Sequence, residues 1–324
     1  MAPNDQEDTA EFLTATHEAE LHTPRPAVTP VEVDLAALSH SGRIRPNNED
    51  HYLVVRAGRY LRTWMTNLPE GSVPREFEET VYGMAVADGI GGRAAGEVAS
   101  RLALTLLVEL VLDTPDWIFS LDEPELMEVF HRAAWRFRAV NAALLERARH
   151  DPTLAGMGTT LTVAMSLGPV LTVVYVGDSR VYLLRGRELH RLTRDHTLAQ
   201  ELADLGRLPA EDVAANALRN VLTEAIGLWE EGGEPDVRRL PLADGDRLLL
   251  CTDGLTGMVD DATIAEELGR DRSAAEVCQT LLDLALVNGG PDNVTIIVAG
   301  YRIPEGPWRT PGRATRDVPS MPTS

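Results

Sequence analysis

Lysine is missing from this sequence: all 30 of its lysine-plus-arginine residues are arginine. That removes lysine Schiff bases and the phosphate-binding P-loop lysine from consideration. Cysteine is nearly missing too. Cys251 and Cys278 are the whole complement, sit in apolar segments and form no C-x-x-C pair, so two buried, reduced thiols are expected. No run of eighteen apolar residues occurs, and the acidic start lacks the basic residues and apolar stretch of a signal peptide. A cytoplasmic protein without a membrane partner is therefore expected. Positive charge is scarce as well, with 30 basic residues against 50 acidic ones and a net charge of −20. Such a chain repels phosphate polymers and anionic surfaces at long range, so nucleic acid is not an expected partner. The carboxylate excess suits cation binding, although most of it is ordinary solvated surface.

What is present is an ordinary globular composition, 44% hydrophobic and 25% charged, over a length that allows two average domains or one larger one. Residues 1–30 are polar, acidic and without a period, and 303–324 are rich in proline and arginine; both are expected to be disordered. That leaves 31–302 as the folded domain. Its most informative stretch runs Met84-Ala85-Val86-Ala87-Asp88-Gly89-Ile90-Gly91-Gly92. A buried strand is expected to end at Asp88, turn on glycines and enter a helix over about 96–112. A second helix over about 124–149 shows a buried face through Leu126, Phe130, Ala133, Phe137, Val140 and Leu144. Residues 57–80 read as an inserted loop or hairpin.

The middle of the chain is a meander of short apolar strands joined by turns, including Gly168-Pro169, Gly177-Asp178-Ser179-Arg180 and Arg185-Gly186-Arg187-Glu188. Antiparallel hairpins are expected there, not βαβ crossovers. Residues 195–232 read as short helices and loop. A strand over 246–251 ends at Thr252-Asp253-Gly254, helices are expected at 261–269 and 273–287, and a last strand over 294–299 follows Gly289-Gly290-Pro291-Asp292-Asn293.

Asp88, Asp253 and Asp292 share one setting, each bordering an apolar strand beside a glycine or an Asn/Pro turn, and Glu49-Asp50 makes a fourth such point. Carboxylates and carbonyls are the ligands of hard divalent cations, so Mg²⁺ or Mn²⁺ is the indicated metal. Singly, each acid is explained by turn chemistry. Composition does not show that the four converge.

Six motifs in order bear on that convergence: Arg45-x-x-Asn48-Glu49-Asp50, Asp88-Gly89-x-Gly91-Gly92, Gly158-Thr159-Thr160, Gly177-Asp178-Ser179-Arg180, Thr252-Asp253-Gly254 and Gly290-Pro291-Asp292-Asn293. Together, over about residues 34–301, they resemble the bacterial form of the PPM-type metal-dependent serine/threonine protein phosphatases. The resemblance implies an α+β fold, a four-layer sandwich of two antiparallel sheets flanked by helices, with a binuclear Mg²⁺/Mn²⁺ centre at one end. It implies that Asp88 bridges the two metals, that the Gly89 carbonyl binds one, and that Asp253 and Asp292 hold the other. Glu49 would lie on the Gly89 side, Arg45 would clamp the substrate phosphate, and Asp50 and Asn293 would support these groups from behind. A metal-bridging hydroxide would then attack phosphoserine or phosphothreonine in protein substrates, the products of serine/threonine kinases. Residues 195–232 correspond to the family's variable flap beside the metals.

Two departures stand out. Some relatives carry histidine directly after Asp-Gly as a candidate general acid; here the residue is Ile90. A third metal in relatives uses an acid just before the Gly-Thr-Thr strand, where Ala155 stands, with Asp151 four residues upstream. Asp178 reads as a turn residue outside the site, and His51 and His196 as packing or surface histidines. Two other readings compete. Gly89 to Ala94 satisfies the G-x-G-x-x-A dinucleotide fingerprint, but Asp88 would face the pyrophosphate and the downstream chain gives no crossovers. The other is a catalytically weak phosphoprotein-binding adaptor on the same fold, against which the complete set of acids argues.

Overall fold

The computed structural model describes residues 31–91, 95–113, 123–230, 232 and 234–304, and of residues 123–129 the backbone alone. The expectations for 1–30, for Gly92 to Ala94, for the Leu126 side chain and for the tail beyond Pro304 lie outside these residues.

Two five-stranded antiparallel sheets make the frame. One is ordered β1(Glu32–His40), β12(Val294–Arg302), β11(Arg247–Cys251), β8(Arg180–Arg185), β9(Glu188–Arg191). The other is ordered β10(Asp236–Pro241), β7(Val170–Val176), β6(Leu161–Leu167), β3(Glu76–Ala87), β2(His51–Arg62). A two-residue ladder, β4(Gly89–Ile90) with β5(Gly158–Thr159), lies beside the second sheet.

The apolar runs of the sequence follow from what covers each face. Along β3, Met84 and Val86 point between the sheets, where they meet Leu248, Leu250 and Ile297, while Ala85 and Ala87 point outward to helix residues. Those outer residues lie on α1(Ala95–Asp113) and α2(Glu123–His150), represented by Ala99, Leu104, Phe137 and Leu144. Along β11 the same alternation sends Leu249 and Cys251 outward against α5(Asp261–Gly269) and α6(Ala274–Val287). Strands buried on both faces need apolar residues at every position, so helix–sheet–sheet–helix layering turns a period-2 pattern into a continuous run. Four layers result, as the family resemblance implied.

Residues 57–80 extend β2 and β3 into one long hairpin with cross-strand pairs Arg56–Glu78, Arg59–Glu79 and Arg62–Glu76. In the 195–232 segment, α3(Leu198–Asp204) and a 3-10 turn over Ala210–Ala215 carry the only regular helices described. Cys251 and Cys278 are free and buried, and burial pushes both thiols up to about 12. Among the described residues no helix is long and apolar enough to cross a membrane.

Candidate active site

At one end of the sandwich, three chain turns meet. The first leads from β1 into β2 and carries Arg45, Glu49 and Asp50. The second follows β3 at Asp88 and Gly89. The third pairs the start of α4(Asp253–Thr256) with the turn Asp292-Asn293 that opens β12. Asn293 joins the first turn to the last. Its Nδ2 donates to the carbonyls of Ser41 (3.0 Å) and Asn47 (2.8 Å), and its Oδ1 accepts from the Glu49 amide at 2.7 Å. The Asp88 turn is tied instead to Thr160, between β5 and β6: its amide donates to Thr160 Oγ1 at 3.0 Å, and its carbonyl accepts from the Thr160 amide at 2.9 Å.

The product is a pocket of about 500 Å³ lined by Arg45, Glu49, Asp88, Gly89, Ile90, Asp178, Asp253, Asp292 and Asn293, with Asn220 and Leu222 of the 195–232 segment at its edge. Glu49, Asp88, Asp253 and Asp292 therefore face one space, while Asp151 lies outside its lining and caps the turn at Pro152–Leu154. Asp50 lies beneath the pocket, 3% exposed, with Oδ2 accepting from Thr252 Oγ1 at 2.7 Å and Oδ1 buried without a partner. Asp178, which the sequence reading left outside the site, stands in the pocket wall. Its signal was the same as that of Asp88, an aspartate beside glycine at a strand end, but its hairpin setting pointed to a turn. His51 bonds Ser100 Oγ at 2.9 Å and His196 stacks on Tyr175, so both histidines pack outside the pocket lining.

The crowding of carboxylates shows in their proton affinities. Burial first, then the charges of Asp50, Asp253, Asp178 and Asp292, hold the Asp88 carboxyl well above its ordinary value. Burial lifts Asp50 to about 7 and Asp253 to about 6, with Asp292 adding to the latter. The cation that faces them is Arg45, whose Nη2 donates to Asp292 Oδ2 at 2.7 Å from an exposed position at the rim. Among the described residues no three Asp, Glu, His or Cys side chains close on a common point at metal-ligand spacing. The donor chemistry nevertheless fits hard divalent cations: the ring is all oxygen, it repels itself, and one buried carboxylate oxygen beneath it has no donor.

An antiparallel double sandwich with this acid-lined end defines the class of metal-dependent phosphatase folds. The chain belongs to the protein phosphatase 2C family, whose model matches residues 75–284. It is 39% identical over 266 residues to the serine/threonine protein phosphatase PstP of Mycobacterium tuberculosis, covering 82% of this chain and 44% of that one. The chain thus spans under half the length of that relative. It is 32% identical over 270 residues to protein phosphatase PhpP of Streptococcus pneumoniae, 82% of this chain and 96% of the relative. A crystal structure of the PstP catalytic domain in complex with two manganese ions superposes with a TM-score of 0.65 at 36% identity, over 84% of this chain and all of that one.

Proposed function

We propose that this chain is a Mg²⁺- or Mn²⁺-dependent protein phosphatase that hydrolyses phosphoserine and phosphothreonine in proteins. The observation that carries the reading is the single pocket lined by Glu49, Asp88, Gly89, Asp253 and Asp292, with an arginine at its rim. PstP, bound to two manganese ions on a similar fold, supports it. Two divalent cations held there would activate water for in-line attack and neutralise charge on the phosphoryl group.

The chain's own residues divide that work. Asp88, the Gly89 carbonyl, Glu49, Asp253 and Asp292 line the same pocket and would hold the ions there. Asn293 fixes the Glu49 backbone through its 2.7 Å hydrogen bond. Asp50, bonded to Thr252 directly before Asp253, steadies the floor. Arg45 offers a planar pair of donors to phosphate oxygens, and the incoming phosphate must compete with Asp292 for them. Ile90 cannot donate a proton, so that position does not supply the general acid for the leaving alkoxide. The 195–232 segment reaches the pocket edge through Asn220 and Leu222, where it can select among protein substrates. Those substrates are proteins phosphorylated by serine/threonine kinases in the cytoplasm, which places the enzyme in signalling.

Purified protein with Mn²⁺ should hydrolyse p-nitrophenyl phosphate and phosphothreonine peptides, lose that activity in EDTA and regain it on return of the metal. Saturable binding of a phosphopeptide without turnover would favour the adaptor reading instead. Arg45→Ala should raise KM for a phosphopeptide by about tenfold while bound Mn²⁺ per chain stays constant. Loss of bound metal in that variant would remove Arg45 from the substrate side of the site.

A further inference from the structure

The turn Gly177-Asp178-Ser179 joins β7 to β8, and it is fixed more firmly than a connecting turn requires. Gly177 has φ of 110°, and a Cβ there would stand 2.6 Å from the Thr160 side chain. Only glycine lets the backbone lie that close. Ser179 Oγ is 2.9 Å from Thr160 Oγ1, the hydroxyl that also holds the Asp88 amide. On the other side, His196 Nδ1 accepts from the Gly177 amide at 3.2 Å, and the His196 amide donates to the Gly177 carbonyl at 3.0 Å. The turn is thereby held on one side to Thr160, and through it to Asp88, and on the other side to His196.

Between these anchors, Asp178 is 8% exposed and lines the acid pocket. Among the described residues no other group hydrogen-bonds or ion-pairs with its carboxylate. Arg180, two residues on, is committed to Asp195 and to the Tyr182 hydroxyl. Asp253 is the charge that acts most strongly on Asp178, and Asp178 acts in turn on Asp88. Arg180 is the cation that acts on Asp178, but its guanidinium is already bonded to Asp195, so a carboxylate buried beside Asp253 and Asp88 is unfavourable in the metal-free protein. A turn alone would be served by asparagine or serine without that cost.

We infer that Asp178 is a further member of the cation site, facing the ion held by Asp253 and Asp292, adding negative charge there and accepting hydrogen bonds from that ion's water ligands. The inference rests on the phosphatase reading for the presence of the ions. Hard divalent cations keep several waters, and the groups that hold those waters set affinity by about 10–100-fold. Asp178 is a positioning residue in this role.

Calorimetric titration of the full chain with MnCl₂ tests it. Asp178→Asn should weaken one of two Mn²⁺ binding events by about tenfold or more. The Tm of the metal-free variant should equal or exceed that of the wild type, because a repulsive charge has gone. A turn-only role gives the reverse, a lower metal-free Tm with unchanged Mn²⁺ affinity, and that result overturns the inference. Asp178→Ser carries the same reading if the asparagine variant does not fold, and failure of both to fold also overturns it. Wild-type protein that takes up no Mn²⁺ overturns the phosphatase reading as well. Wild-type protein that binds two ions, with both variants binding them equally well, overturns only the role of Asp178.

Discussion

Asp88→Asn is expected to abolish Mn²⁺-dependent turnover of a phosphothreonine peptide, lowering kcat/KM by at least about a thousandfold, or ~4 kcal/mol of transition-state stabilisation. Asp88 lines the pocket, and four other carboxylates act on its charge. Its backbone is pinned at both amide and carbonyl by Thr160, which fixes where the side chain starts. The loss should not reflect unfolding. Removing one charge from a self-repelling ring leaves the metal-free variant with a Tm at or above that of the wild type. Retention of more than a tenth of wild-type kcat/KM would show that Asp88 is not central to the chemistry.

Gly254→Ala is the second large effect, and it acts through backbone. A Cβ at Gly254 would lie 1.8 Å from the Asn293 carbonyl oxygen, inside any tolerable contact. Neither atom belongs to a flexible side chain, so α4 and the opening of β12 must part. Overpacking of this kind costs about 3 kcal/mol at the upper end of its range, which lowers Tm by ~5 °C for a domain of this size. Asp253 and Asp292 flank the contact on either side, so the same parting should separate them and weaken Mn²⁺ binding. Thermal denaturation and metal titration read the two effects. A Tm within about 2 °C of wild type, with unchanged affinity, would show that the two segments separate freely.

The sequence disclosed strands most clearly where burial on both faces left no alternative to apolar residues. Met84 to Ala87 and Leu248 to Cys251 are such runs, and both lie in sheet interiors. It disclosed edges poorly. β10, Asp236 to Pro241, is not legible in the sequence: this edge strand reads Asp-Val-Arg-Arg-Leu-Pro, with adjacent arginines that break any alternation and a closing proline. The outer halves of β2 and β3 read as an insertion because their arginines and glutamates look like loop composition, and only cross-strand register converts them into pairs. The four-residue helix at Asp253 is too short to carry a period. In the site, Asp88, Asp253, Asp292 and Glu49 stood out because each sits beside glycine or asparagine at the end of an apolar run. Asp178 has the same signature, yet the direction in which its turn faces depends on Thr160 and His196, which are distant in sequence.

The pairing of β1 with β12 has a consequence for timing. Glu32 to His40 align with Arg302 to Val294, so the first and last strands of the domain are neighbours. The Glu49 amide waits for Asn293, 244 positions later, before it has a partner. Contacts of such long range close slowly, and synthesis adds only about 5–20 residues per second. A ribosome-bound chain therefore holds half of the acid ring for many seconds without the strand that completes it. The acid ring is complete only after Asp292 and Asn293 have been synthesised and β12 has paired with β1.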